Sequence, residues 1–230
     1  MEIAGVAMVL RANCTAYLPK HQVLVVSDVH LEKGSAYAAR GQMLPPYDSL
    51  TAVSRLMAEM EALRPRQVIS LGDSFHDRGA RARMNPDVVD ALRVMTGSTE
   101  WVWITGNHDV APPDDLGGRI AHEVSVGPLV FRHEPVAGPV VGEVAGHLHP
   151  CARVSGGARV VRAKCFATDG QRLVMPSFGP LTGGLNVCDD AFAPLFPQGL
   201  RACVAGRDSV YAVSAERLAP DRSRLSRMAG

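Results

Sequence analysis

Three continuous apolar runs, separated by segments with helical periodicity, dominate the first half of the chain. The runs at 22–27, 67–71 and 101–105 do not alternate with polar residues, which is typical of strands buried on both faces. Between them, apolar residues recur at helical spacing over 48–63 and 87–95. The order β-α-β-α-β predicts parallel strands joined by crossover helices.

Turn residues and short segments complete the first half. Residues 34–46 are rich in glycine and proline and predict a long loop, and 77–85 predict an arginine-rich loop. Asp48 is the expected N-cap of the first long helix. The segments 6–11 and 15–18 predict an opening hairpin.

After the loop at 111–118 the pattern changes to short strands separated by glycine-rich turns. These predicted strands cover residues 120–132, 139–146, 158–167, 171–175 and 201–213. They indicate a second, mixed or antiparallel sheet packed against the first. We therefore expect an α/β fold in which a two-sheet β-sandwich is flanked by helices, as a single domain over 1–216. Residues 217–230 are expected to form a flexible basic C-terminal tail.

Composition narrows the class of protein without identifying it. The 230 residues are 47% hydrophobic and 20% charged with a net charge of +1, an ordinary profile for a soluble domain. The five cysteines form no Cys-x-x-Cys pair, which favours reduced thiols and a cytoplasmic location. The sequence has neither a recognisable signal peptide nor an apolar run that would span a bilayer, so no membrane association is expected.

Five short motifs carry the chemistry, and each follows an apolar run. In chain order they are Asp28-Val29-His30, Gly72-Asp73, Gly106-Asn107-His108-Asp109, His133 and Gly146-His147-Leu148-His149. Each should lie where a strand ends, which is the edge of an α/β sheet at which ligands bind. Carboxylate, imidazole and amide ligands together suit a pair of hydrolytic divalent metals.

The spacing within these motifs has a physical rationale. In an extended chain, residues two apart point to the same side, so Asp28 and His30 should converge, as should the two histidines of the last motif. Asp73 is the expected bridging ligand, because its two carboxylate oxygens can hold two cations. Asn107 adds a neutral oxygen, which keeps the site from becoming too negative for a phosphate. Each motif alone is weak, but five in order after strands predict a metal centre.

This constellation resembles the calcineurin-like metallophosphoesterase superfamily. The resemblance implies that one metal is held by Asp28, His30, Asp73 and His149. It implies that the other is held by Asp73, Asn107, His133 and His147. It further implies that His108 faces the phosphate as transition-state stabiliser or proton donor, and that Asp109 holds His108 in place.

A narrower resemblance, to the bacterial DNA-ligase-associated metallophosphoesterases, covers most of the chain. It rests on the stretches 27–34, 71–77, 131–135, 145–150 and 176–187. It implies a manganese-dependent phosphodiesterase or DNA endonuclease of DNA repair, associated with an ATP-dependent DNA ligase, a helicase and an exonuclease. The ligand types alone equally permit iron, zinc or cobalt.

Residues outside the motifs are candidates for binding substrate. His76 follows Asp73 by three positions and either reaches the phosphate or caps the next turn. Arg78, Arg81 and Arg83 either grip flanking phosphates or form a solvated charge run. Because only 5% of the residues are aromatic, we expect DNA to be bound mainly through its backbone, with little sequence preference.

Two other functions remain open at this stage. The same metal centre would serve a hydrolase of cyclic nucleotides, dinucleoside polyphosphates or phosphomonoesters. A scaffold that kept the fold and lost the chemistry is a further alternative. The scaffold is disfavoured because no expected ligand is missing and the expected proton donor, His108, is present.

Overall fold

The computed structural model describes residues 1–108, 113–156 and 159–221. Among these residues the chain opens with a two-stranded ribbon and then forms the first large sheet. The ribbon is β1 (Glu2–Ile3) and β2 (Val6–Ala7). The first sheet has the spatial order β3 (Val9–Leu10), β4 (Ala16–Leu18), β5 (Val23–Val26), β6 (Gln67–Ser70), β7 (Glu100–Ile104) and β8 (Arg119–Ala121).

The second sheet is built from the second half of the chain. Its strands are β9 (Glu123–Val126), β10 (Leu129–Arg132), β11 (Glu143–Ala145), β12 (Cys151–Gly156), β13 (Arg159–Thr168), β14 (Arg172–Val174), β15 (Arg201–Ala205) and β16 (Val210–Val213). The spatial order is β16-β15-β13-β14-β11-β10-β9, and β12 pairs with β13 beside this path. Strands β10, β11 and β14 are parallel, whereas the others pair antiparallel, so the sheet is mixed.

In the described part of the chain, four α-helices and three 3-10 turns connect and cover the strands. The helices are α1 (Lys33–Ala38), α2 (Asp48–Leu63), α3 (Ala80–Arg83) and α4 (Pro86–Ser98), and the 3-10 turns are Asp114–Leu116, Asp190–Phe192 and Ala215–Arg217. The long helices α2 and α4 bury their apolar faces against the outer face of the first sheet. No helix in the described part of the chain has the length and apolarity needed to cross a membrane.

Alternate residues of the central strands face two different cores. In β5, Leu24 and Val26 pack under the helices, whereas Val23 and Val25 pack against the second sheet. This division explains why the strand is a continuous apolar run. Strands β5, β6 and β7 are parallel, so their carboxyl ends meet at one edge of the sheet.

The expected α/β two-sheet sandwich flanked by helices is confirmed, with corrections to individual elements. The expected loops 34–46 and 77–85 contain the helices α1 and α3. Gly34 is required here by close packing and not by a loop, since a Cβ atom would lie 2.8 Å from the Asp48 carboxylate. Asp48 itself is not the N-cap: that position is Tyr47, and the carboxylate accepts from the Gly34 N–H.

The second half departs further from the expected strand bounds. The expected strand 120–132 is three strands, and the first of them, β8, joins the first sheet. Strand β12, which pairs antiparallel with β13, was not predicted from the sequence. In the expected tail, Leu218 bridges to Val154 of β12, while residues 222–230 lie outside the described part. The boundary at residue 217 therefore stays a prediction.

A buried ion pair joins the two central parallel strands of the second sheet. Glu143 of β11 lies opposite Arg172 of β14, with 2.8 Å between Oε2 and Nε, and both side chains are almost completely buried. The Arg172 guanidinium also donates to the carbonyls of Leu195 and Val136. The pair thus ties the core of the sheet to two covering loops.

We predict that Arg172→Met lowers the free energy of unfolding by about 3 kcal/mol, because the buried Glu143 carboxylate loses its nearest cation and keeps the Val136 N–H and the more distant Arg132. Chemical denaturation with urea measures the change. The exposed Arg201→Met should cost less than about 0.5 kcal/mol. A second substitution, Glu143→Gln, should recover part of the loss, and equal losses for Arg172→Met and Arg201→Met would contradict the prediction.

Candidate metal centre

All five motifs lie just beyond the carboxyl ends of strands, as the sequence predicts. The strands concerned are β5, β6, β7, β10 and β11, which end at Val26, Ser70, Ile104, Arg132 and Ala145. The first three belong to the first sheet and the last two to the second. The motifs therefore meet where the carboxyl-end edges of the two sheets face each other.

The local backbone of these motifs differs from the expected extended chain. Asp28 and His30 have φ angles of 52° and 48°, and His147 and His149 have φ angles of 69° and 47°. All four lie in the left-handed region, so strand alternation is the wrong reason for their convergence. The chain has already left the strand, and each left-handed residue turns the backbone so that the next motif side chain again faces inward.

Two glycines make room for these side chains. A Cβ atom on Gly72, which has φ +78°, would lie 2.5 Å from Nδ1 of His133. A Cβ atom on Gly146 would lie 2.1 Å from the Ser27 hydroxyl and 2.6 Å from Oδ2 of Asp28. Both glycines are therefore required by close approach of a candidate ligand.

Asp28, His30 and His149 form the first group of candidate ligands. Oδ1 of Asp28 lies 2.9 Å from Nε2 of His149, and one ligand atom from each of the three residues lies within 4.8 Å of the others. Asp28 Oδ1, both ring nitrogens of His30 and His149 Nε2 are buried and make no aligned hydrogen bond within the described structure. Buried polar atoms without partners are costly, so this group needs a cation.

Electrostatics favour the ligand forms of two of these side chains. Burial lowers the pKa of the His30 imidazole to about 3, so the ring is neutral and offers a nitrogen lone pair. Burial alone would raise the pKa of the Asp28 carboxyl, but His149, His133 and Ser27 outweigh it and hold that pKa below its ordinary value. Asp28 is therefore a carboxylate.

Asn107, His133 and His147 form the second group. Nε2 of His133 lies 2.9 Å from Oδ1 of Asn107 and 3.2 Å from Nδ1 of His147, which is 3.1 Å from the same amide oxygen. His133 Nδ1 lies 2.8 Å from the Leu71 carbonyl, which can only accept, so Nδ1 carries a proton and, in the neutral ring, Nε2 carries the lone pair. That lone pair faces the amide oxygen, another acceptor.

Asp73 lies between the two groups, but only one of its carboxylate oxygens faces them. Its Oδ1 accepts from the backbone N–H of His108 at 2.8 Å. Its Oδ2 lies 3.5 Å from Nε2 of His133 and 3.9 Å from Nε2 of His30. One oxygen, rather than one for each cation, therefore faces both groups.

These observations together test whether divalent metals fit the residues present. Facing acceptor atoms about 3 Å apart are what cations bound at about 2.1 Å from each ligand require. The donor set is oxygen and imidazole in both groups, which suits hydrolytic divalent metals. The residues fit two such ions that share Asp73.

His108 is placed beside the two groups but outside them. Its side chain is exposed and stacks on His76 with ring centroids 5.4 Å apart. Its Nδ1 lies 2.9 Å from the backbone carbonyl of His76, so Nδ1 is a donor and Nε2 remains for substrate. Sequence reasoning missed this contact, because a backbone carbonyl leaves no signal in side-chain identity. Asp109, which was expected to hold His108, lies outside the described residues.

The arginine-rich segment is mostly committed to neighbouring acids. Arg81 makes a bidentate contact with Asp115, with a shortest distance of 2.6 Å, and Arg83 donates to Asp77 at 2.7 Å. Arg78 is exposed. The structure thus gives two of the three guanidinium groups carboxylate partners, and a role for any of the three with phosphate stays a prediction.

A pair of cations that no motif indicated holds the segment next to Asp28. Lys164 donates to the carbonyls of Ser177 and Gly179, both at 2.7 Å, and Arg55 donates to the carbonyl between them, that of Phe178, at 3.2 Å. The N–H groups of Phe178 and Gly179 in turn donate to the carbonyls of Ser27 and Asp28. Burial lowers the pKa of Lys164, whose ammonium group donates to two carbonyls of this segment. The left-handed turn at Asp28 is therefore supported from behind.

Comparisons with known proteins agree with this geometry. The family model described as calcineurin-like phosphoesterase matches residues 21–169. The chain is similar to a solved nuclease, MPE of Pseudomonas putida, with 30% identity, a TM-score of 0.71, and coverage of 93% of this chain and 98% of that one. It is also similar to Yfce, a phosphoesterase from E. coli, with 17% identity, a TM-score of 0.41 and coverage of 83% and 97%. No curated protein sequence matches it.

We predict that Gly72→Ala lowers Mn²⁺ affinity about tenfold or more, because the added methyl group displaces His133. Isothermal titration calorimetry measures the affinity, and the rise in Tm on adding Mn²⁺ gives a second reading. Gly138→Ala is the matched control: Gly138 has φ +86°, and no described atom lies within 4 Å of the added Cβ. Equal affinities for the two variants would contradict the prediction.

We predict that Lys164→Met also weakens Mn²⁺ binding, because the carbonyls of Ser177 and Gly179 lose their donor and the support behind Asp28 loosens. The measurement is again calorimetric titration with Mn²⁺. The control is Arg172→Met, a destabilised variant whose substitution lies at the amino end of β14, away from the metal centre. The same loss of affinity in both variants would indicate general destabilisation rather than positioning.

Proposed function

Because the chain belongs to the calcineurin-like phosphoesterase family, we propose that it is a phosphodiesterase that hydrolyses DNA as an endonuclease in DNA repair. The observation that carries the proposal is the convergence of two groups of metal-ligating side chains on Asp73, beside an exposed imidazole. Similarity to the Pseudomonas putida nuclease, over nearly all of both chains, supports a nucleic acid as the substrate, and DNA is proposed from the sequence resemblance to DNA-ligase-associated enzymes.

The family uses divalent metals, and the residues of both groups fit them. Asp28, His30, His149 and Asp73 would hold one ion, and Asp73, Asn107, His133 and His147 the other. Bound divalent ions supply Lewis acidity for the phosphate and a nucleophile derived from water. We infer manganese as the physiological metal from the resemblance to DNA-ligase-associated enzymes, since iron, zinc and cobalt suit the same ligands.

His108 supplies the proton that the leaving oxygen needs. A sugar alkoxide is a poor leaving group, so its departure is accelerated when a positioned acid protonates it. The His76 carbonyl keeps the proton on Nδ1 of His108, and the exposed Nε2 is the atom that transfers a proton to the leaving oxygen. Oδ1 of Asp73 accepts a hydrogen bond from the backbone N–H of His108. This contact holds the His108 imidazole, the proposed acid, beside the metal centre. His76 is proposed to contact the phosphate, and Asp109 to support His108.

DNA binding through the backbone fits the surface around this site. Arg78, Arg81 and Arg83 are proposed to contact phosphates, the last two by exchanging their carboxylate partners for DNA. Such contacts give little sequence preference. We further propose a cytoplasmic location, on the basis of cysteine usage. From the sequence resemblance we propose functional association with an ATP-dependent DNA ligase, a helicase and an exonuclease.

We predict that the protein linearises single-stranded circular DNA in the presence of Mn²⁺. Because a circle has no ends, linear products on a denaturing gel identify an endonuclease. Asp73→Ala and His108→Ala should each abolish cleavage, the first by removing the shared ligand and the second by removing the acid. A chelator should abolish cleavage by the wild-type protein, and excess Mn²⁺ should restore it.

A chromogenic diester separates the proposed role of His108 as an acid from that of Asp73 as a metal ligand. Its nitrophenolate leaves without a proton, so His108→Ala should retain much more activity on this substrate than on DNA, whereas Asp73→Ala should lose both. Circles that stay intact while the wild type hydrolyses the diester would contradict an endonuclease. The substrate would then be a DNA end or a small nucleotide, and a wild type inactive on both substrates would revive the scaffold alternative.

A further inference from the structure

A row of rings leads from the metal centre towards the surface. The ring centroids of His30 and His108 are 5.1 Å apart, those of His108 and His76 are 5.4 Å apart, and those of His76 and Tyr37 are 5.8 Å apart. His30 is buried, whereas Tyr37 is partly exposed and the residues that follow it are exposed. The row therefore connects the candidate metal ligands with solvent on the side of α1.

Two cations lie along this row. Lys33 begins α1, and Arg40 follows this helix, where its backbone N–H donates to the carbonyl of Tyr37 at 3.0 Å. Lys33 is partly buried and faces Asp48, whereas Arg40 is exposed. Asp77, which follows His76 in the chain, is paired with Arg83, and Arg81 shares Asp115 with Arg93. Arg40 is thus an exposed positive charge next to Tyr37, whereas Arg81 and Arg83 both have carboxylate partners.

An exposed aromatic ring lies beside the start of α1. The Asp48 carboxylate accepts from the N–H of Gly34 at 2.9 Å, which brings the preceding residue, Tyr47, next to the first turn of α1. The Tyr47 side chain is 66% exposed. Exposed aromatic rings beside cations are the usual elements of a surface that holds a nucleic acid strand, because bases stack on rings and phosphates pair with cations.

We propose that the DNA strand leaves the metal centre along this row, on the α1 side. Lys33 and Arg40 bind the phosphate that neighbours the scissile one, and Tyr47 stacks on a base. This inference rests on the proposed function and identifies the residues that hold its substrate. It moves the main phosphate contacts from the arginine-rich segment after Asp73 to α1 and the residues after it.

The salt dependence of DNA cleavage tests the phosphate contact. The plot of log kcat/KM against log salt concentration, measured on single-stranded circles with Mn²⁺, becomes shallower by about 0.7 when one phosphate contact of a single strand is lost. Arg40→Ala should show this change and a several-fold lower kcat/KM at low salt, and Arg40→Lys should restore the slope. Tyr47→Ala should lower kcat/KM while leaving the slope unchanged.

The matched control is Arg66→Ala. Arg66 is also an exposed arginine, but it precedes β6 and lies at the opposite edge of the sheet. Each variant is normalised to its own hydrolysis of the chromogenic diester, which removes any indirect damage to the metal centre. Identical slopes and kcat/KM for Arg40→Ala and Arg66→Ala, with a wild type that cuts circles, would overturn this inference alone. A wild type that cuts no DNA would overturn it together with the proposed function.

Discussion

The arrangement of the site depends on crowding acceptor atoms together at one edge of the sandwich. Imidazole nitrogens, a carboxylate and an amide oxygen face one another at about 3 Å, an arrangement that a cation between them would stabilise. Several of these residues also have left-handed backbones, at a cost of order 1 kcal/mol each. This cost is tolerable only if the surrounding structure holds the turns in place.

The first sheet and its neighbour provide that support through backbone hydrogen bonds between turns. The N–H of His30 donates to the carbonyl of Asp73 at 2.9 Å, and the N–H of Gly146 donates to the carbonyl of His133 at 2.9 Å. Each motif is therefore fixed by another motif rather than by its own strand alone. The segment held by Lys164 and Arg55 closes the remaining side, which is why two cations with no part in the chemistry lie so near it.

The order and chemistry of the motifs could be predicted from the chain, since strand, turn and ligand types recur together. The conformation at Asp28 could not, because an Asp-x-His spacing fits an extended strand as well as two left-handed residues. The contact that orients the His108 ring could not be predicted for a related reason. The ring contacts the backbone carbonyl of His76, and every residue has such a carbonyl. The carboxylate partner of Arg81 could not be predicted either, because Asp115 lies 34 residues away in sequence and only folding brings the two side chains together.

The difference in exposure between the buried His30 and the exposed His108 follows from the role proposed for each. A residue that holds a metal gains from burial, because burial keeps an imidazole such as His30 neutral and water away from the ligand atoms. A residue that gives a proton to substrate must be recharged from solvent after each turnover, so it has to remain accessible. His108 is accessible and still held in position: its backbone N–H donates to Asp73, while its ring lies at the surface. The same requirement supports the proposed substrate path on the α1 side, away from the buried His30.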